Sequence, residues 1–226
     1  MDLTKRQEKI LTDIIEEYIE SAKPVGSLTL ERKSDFEICP ATIRIEMQKL
    51  TDGGYIFKPH TSAGRVPTDK GYRFFVNNLL EKSFKKDFDF EELFEQDSLR
   101  ALQSVIRHMA SLSSSLALGY LPHEKILLKE GWEDVVREPE FREEDFAFNF
   151  AEAVKSIEKE IEDFELGSGL NVFIGKENPL PKAKQISTIM ARCKFPDEEV
   201  FLAIVGPKRM SYDKNINYLK SLISRL

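Results

Sequence analysis

Nothing in the 226 residues approaches the roughly 18 consecutive apolar residues of a membrane-spanning helix, and the opening "MDLTKRQEKI" lacks the apolar centre of a signal peptide. A cytoplasmic protein is expected. Cysteine is nearly missing: Cys39 and Cys193 stand far apart, in neither a metal-ligand spacing nor a disulfide framework, and are expected to be reduced and at least partly buried. Histidine is scarce too. His60, His108 and His123 fall in no nucleophile elbow, metal spacing or phosphate-binding glycine loop. No catalysis, metal or cofactor is therefore expected.

What is present is an ordinary folding composition, 41% hydrophobic and 32% charged, in a length that suits two domains better than one. The formal net charge of −6 argues on its face against a nucleic-acid partner. Its distribution does not. Residues 1–76 carry 12 basic and 12 acidic side chains, which leaves 21 and 27 for the remainder. Within residues 38–76 there are six basic and three acidic side chains, a local positive excess that the average conceals.

Thr4 followed by Gln7 is a capping-box start, and Ile10, Leu11, Ile14, Ile15, Tyr18 and Ile19 then recur at helical spacing, predicting a helix over about 4–20. Pro24 and Gly26 break it, and Ser27 is placed to cap a short second helix carrying Leu28 and Leu30. Pro40 suits the first position of a third helix running to about Thr51. "YIFKP" and "RVP" read as two short strands joined by "HTSAG", with Gly64 at the tight point, and Thr68 caps a fourth helix. Helix, helix, helix and hairpin in this order are a winged helix-turn-helix pattern. It predicts a DNA-binding domain over 1–82, a linker and helix start over 83–96, and a second domain over 97–226.

The second part predicts a helix from about Phe90 towards Ser115 and strands in "LALGYLP" and "EKILLKE". A helix with an acidic face follows over 143–164, then strands in "LNVFIG", "ISTIMARCKF" and "EVFLAIVG" and a helix over 212–226. The class is α+β, with a sheet covered by helices.

The third helix carries the chemistry. Ile43, Met47 and Leu50 share its core side, which leaves Ala41, Thr42, Arg44, Ile45, Gln48 and Lys49 facing outward. In a major groove Arg pairs with guanine, Gln with adenine, and Thr or an apolar group touches the thymine methyl. Thr42, Arg44, Ile45 and Gln48 are thus the base-reading candidates. Ser27, Lys49, Lys58, His60, Thr61, Ser62 and Arg65 are the candidates for phosphate or groove contacts.

"TKRQEKILTDIIEEYIESAKPVGS", "PATIRIEM" and especially "PHTSAGRVPTDKGYRFFV" closely resemble the N-terminal domain of the heat-inducible transcription repressor HrcA family. "VFIGKENPL", "VGPKRMSYDKNINYLKSLISRL" and the "PEF" at 139–141 resemble its second domain. The resemblance implies a dimeric repressor on an inverted-repeat operator upstream of chaperone genes, kept active by a GroEL-type chaperonin, with a GAF-like second domain. Two features depart from the family pattern. The chain passes from "LALGYLP" directly to "HEKILLKEGW", omitting the central part of the second domain and the insert associated with dimerisation, so the second domain is a reduced one. The family usually has serine at the position of Cys39 and asparagine at that of Ile45. The alternatives are a winged-helix protein-interaction module and a small-effector sensor.

Overall fold

The computed structural model describes residues 3–33, 39–60, 63–83, 88, 90, 97–164, 166–167 and 169–224. The chain divides into two compact units, Met1–Glu81 and Lys82–Leu226.

The first unit begins with α1 (Lys5–Ser21), whose capping box is present in full: the Thr4 hydroxyl accepts from the Gln7 N–H while the Gln7 side chain accepts from the Thr4 N–H. Such a cap is worth about 1 kcal/mol. Ile10, Leu11, Ile14 and Ile15 are fully buried, and each contributes about 1.5–3 kcal/mol by leaving water. Next comes α2 (Ser27–Lys33). Its first hydrogen bonds, from the Thr29 and Leu30 amides, fall on the Gly26 carbonyl, so Ser27 is the first helical residue and not the cap. The hydroxyl is thereby released for another partner.

Pro40 opens α3 (Pro40–Asp52), where its missing N–H removes no helical bond. The hairpin is minimal: β1 (Ile56–Phe57) pairs antiparallel with β2 (Val66–Pro67) in the register Ile56 to Pro67. Gly64 is required by close approach and not by an unusual φ. A Cβ there would lie 2.4 Å from the Val25 carbonyl oxygen, because Val25 and Arg65 exchange both backbone hydrogen bonds, at 2.9 and 2.8 Å. The hairpin is thus sewn to the turn between α1 and α2. α4 (Asp69–Glu81) starts at Thr68, whose hydroxyl accepts from the Gly71 N–H at 3.1 Å.

In the second unit, α5 (Ser98–Leu112) begins at Asp97, whose carboxylate caps the Arg100 N–H. The helix is described from Ser98 onward; the expected start near Phe90 falls in residues 91–96, which lie outside those described. Five strands form one antiparallel sheet in the order β4-β3-β7-β6-β5: β3 (Leu116–Leu121), β4 (Ile126–Glu130), β5 (Leu170–Ile174), β6 (Ile186–Lys194) and β7 (Glu199–Pro207).

Both faces of this sheet are covered. On one side Leu116, Leu118, Met190, Phe201, Ala203 and Val205 meet Phe146, Phe150, Val154 and Ile157 of α7 (Glu144–Glu160). On the other lie α5 and α8 (Tyr212–Ile223), with α5 so close that a Cβ on Gly119 would come within 2.6 Å of Leu102 Cδ1. Two covered faces explain why β3 and most of β7 read as continuous apolar runs and not as alternating ones. A short helix, α6 (Trp132–Val135), was not foreseen. The α+β class holds for the chain as a whole.

Candidate nucleic-acid interface

The outward face of α3 is set by its packing. Ile43, Met47 and Leu50 are buried, while Ala41, Arg44, Ile45, Gln48 and Lys49 are exposed and Thr42 is half-buried. Ile45 is 58% exposed, which excludes a core role. Glu46 is buried beside the apolar stripe. Its carboxylate accepts from Gln7 Nε2 at 3.0 Å and from Lys49 Nζ at 3.1 Å, so the cap of α1 is tied directly to α3. This residue escaped the sequence reading, although its position three residues after Ile43 places it on the buried side.

Each outward polar side chain has a defined partner. Arg44 Nε donates to the hydroxyl of the buried Ser27 at 3.1 Å. Gln48 Nε2 donates to Asp52 Oδ1 at 2.8 Å, and Gln48 Oε1 accepts from Arg65 Nη2 at 3.5 Å. Arg65 Nε donates to Thr51 Oγ1 at 3.1 Å, and Thr51 in turn donates to the Met47 carbonyl at 2.8 Å. Asp52 and Thr51 were also missed; Asp52 lies one turn beyond Gln48, at hydrogen-bonding distance on a helix surface.

At the N-terminus of α3, Cys39 occupies the capping position without capping, and its Sγ lies 3.4 Å from Thr42 Oγ1. That hydrogen bond holds the thiol below its usual pKa. In the hairpin, Lys58 and His60 are exposed, and the Ala63 N–H donates to the His60 carbonyl at 3.0 Å. Thr61 and Ser62 lie outside the described residues. Lys58, His60 and Arg65 thus belong to one hairpin, whereas Ser27 lies beneath Arg44 and is not at the surface.

The second unit contains polar clusters of its own. Arg209, almost fully buried, donates through Nε and Nη2 to Glu140 at 2.7 and 3.0 Å and also pairs with Glu138. The Tyr120 hydroxyl bonds Glu162, which pushes its pKa up to about 12. The exposed His108 ring stacks on Tyr218 at 4.9 Å, with Phe88 and Phe90 meeting Tyr218 edge-on. Among the described residues no group of three or more His, Cys, Asp or Glu is placed to hold a metal ion, and no helix is long and apolar enough to cross a membrane.

Compared with known proteins, residues 74–216 match the model of the HrcA protein C-terminal domain, well over half of the chain. The chain belongs to the HrcA family. Among curated HrcA relatives, the heat-inducible transcription repressor HrcA of Desulfitobacterium hafniense is 46% identical over 119 residues, covering 51% of this chain and 34% of that protein. The repressor of the same name from Natranaerobius thermophilus is 54% identical over 82 residues, or 36% of this chain and 24% of the relative. These matches therefore span about a third or less of the relatives' length. A crystal structure of a hypothetical protein superposes with a TM-score of 0.80 over 99% of this HrcA-family chain and 97% of the other, at 22% identity, a likeness of fold alone.

Proposed function

We propose that this HrcA-family chain is a non-enzymatic, DNA-binding transcriptional repressor of heat-shock genes. In this reading residues 1–82 are a winged helix-turn-helix, 83–96 a linker and helix start, and 97–226 a reduced GAF-like domain. The observation that carries it is the outward face of α3, where Arg44, Ile45 and Gln48 stand exposed on a helix whose opposite side is locked into the core. Such a face reads base edges, while Lys49, Lys58 and His60, with Thr61 and Ser62, meet phosphates or the groove. The names of the curated relatives support the repressor role.

By family resemblance, two copies bind an inverted-repeat operator in the cytoplasm and a GroEL-type chaperonin supports the active state. The two-fold symmetry of a dimer matches such an operator. A second reading, a protein-interaction module or effector sensor, is favoured by the exposure of Leu28, Ile45 and Phe57 in the first unit.

Salt separates the two. Duplex affinity should fall linearly on logarithmic axes, by about 0.9 in slope for each phosphate contacted, and Lys58→Ala should lower the slope by about one such step. Binding of duplex that is weak and insensitive to salt would favour the interaction module.

A further inference from the structure

Gln48 is held from both sides by groups of opposite character. Its Nε2 faces the Asp52 carboxylate at 2.8 Å, and its Oε1 faces the Arg65 guanidinium at 3.5 Å. A carboxylate can only accept and a guanidinium can only donate. Turning the amide by half a rotation would set oxygen against oxygen and N–H against N–H, losing both bonds. The amide therefore has one stable orientation. After these two bonds it retains one N–H and one lone pair, the donor and acceptor pattern that matches N7 and N6 of adenine in the major groove.

Arg65 is itself fixed. Its backbone exchanges both hydrogen bonds with Val25, and Nε is committed to Thr51 at 3.1 Å. Thr51 is anchored in turn on the Met47 carbonyl. A side chain engaged with α3 through both Nε and Nη2 is a strut between hairpin and helix, in a different position from a basic group extended towards a phosphate.

We infer that Arg65 and Asp52 are positioning residues that fix the polarity of the Gln48 amide and thereby impose adenine at the base pair facing Gln48. The inference rests on the DNA-binding reading above and assigns Arg65 a part other than phosphate contact.

The test is selection of duplexes from a random pool by the full chain and its variants, with a salt titration on the wild-type best duplex. Arg65→Lys keeps the charge but loses the planar fork. Asp52→Asn supplies an N–H that can donate to the oxygen of the reversed Gln48 amide. Both variants should lower adenine preference at one position by roughly tenfold, leave the other positions unchanged, and keep the salt slope. Gln48→Ala should flatten the same position, and adding Arg65→Lys to it should change nothing further. Full adenine preference in both single variants would overturn the inference, as would a salt slope reduced by about one phosphate in Arg65→Ala with preference intact. A wild-type motif indifferent to these changes sinks the inference alone. A wild-type chain that enriches no sequence sinks the DNA-binding reading with it.

Discussion

The hydroxyl of Ser27, at the first turn of α2, accepts a hydrogen bond from Arg44 Nε on α3 at 3.1 Å. Because Ser27 is buried, it supports the arginine from beneath through Nε, and the proposed reading assigns the Nη1/Nη2 edge to a bidentate pair with guanine.

Removing that support should cost readout before it costs folding. Ser27→Ala should weaken operator binding by about 0.5–1.5 kcal/mol and reduce guanine preference, and Arg44→Ala should cost about 1–3 kcal/mol with loss of that preference. Gel-shift titrations on matched and single-base-altered duplexes measure both. If Ser27→Ala weakens every duplex equally and lowers the salt slope, Ser27 is a phosphate contact instead.

Ile45 stands on the same face, 58% exposed. Its side chain offers a methyl or shape contact in place of hydrogen bonds. Ile45→Asn should therefore shift base preference at one operator position and leave stability within about 0.5 kcal/mol. An unaltered set of selected sites would make Ile45 a bystander.

Cys39 sits at the N-cap of α3 and leaves the helix amides without a side-chain acceptor. Serine accepts such bonds, so Cys39→Ser should stabilise the first unit by roughly 0.5–1 kcal/mol. Thermal unfolding of the full chain should show a higher midpoint for the transition of that unit. An unchanged or lower midpoint would mean that the Sγ contact with Thr42 already supplies what a cap would.

The two thiols should behave oppositely. Cys39 is exposed with its pKa lowered by Thr42, whereas burial pushes Cys193 from 9.0 up to about 12. A thiol reagent near neutral pH should titrate one cysteine in the folded chain and two after denaturation. The same burial has a sign in stability. Cys193 ionises near 9 when unfolded but near 12 when folded, and Tyr120 shifts from 10.0 to about 12 through Glu162. The unfolded state thus loses protons first, and stability of the second unit should fall as pH rises from about 9 to 12. Flat stability across that window would contradict both assignments.

Local signals carried much of this architecture. The Thr4 and Gln7 capping box, the Pro40 start and the apolar stripe of Ile43, Met47 and Leu50 are written within one or two turns, so the outward face of α3 was legible. What escaped depends on groups distant in sequence. Glu46 meets Gln7, Arg44 meets Ser27 and Arg65 meets Gln48 only once the first unit has folded. Gly64 was recognised as a tight point, but its cause, the Val25 carbonyl, lies on another segment. In the second unit, Arg209 and its two glutamates are some seventy residues apart, beyond the reach of any periodicity.

Selection of duplexes from a random pool by the unmodified full chain, followed by the mass of the complex on the winning sequence, decides whether the α3 face reads DNA. An inverted repeat bound by two chains, with guanine and adenine among its fixed positions, is the predicted result. A pool that emerges without enrichment, or a single unrepeated half-site held by one chain, would contradict the sequence-specific or the dimeric part of the reading respectively.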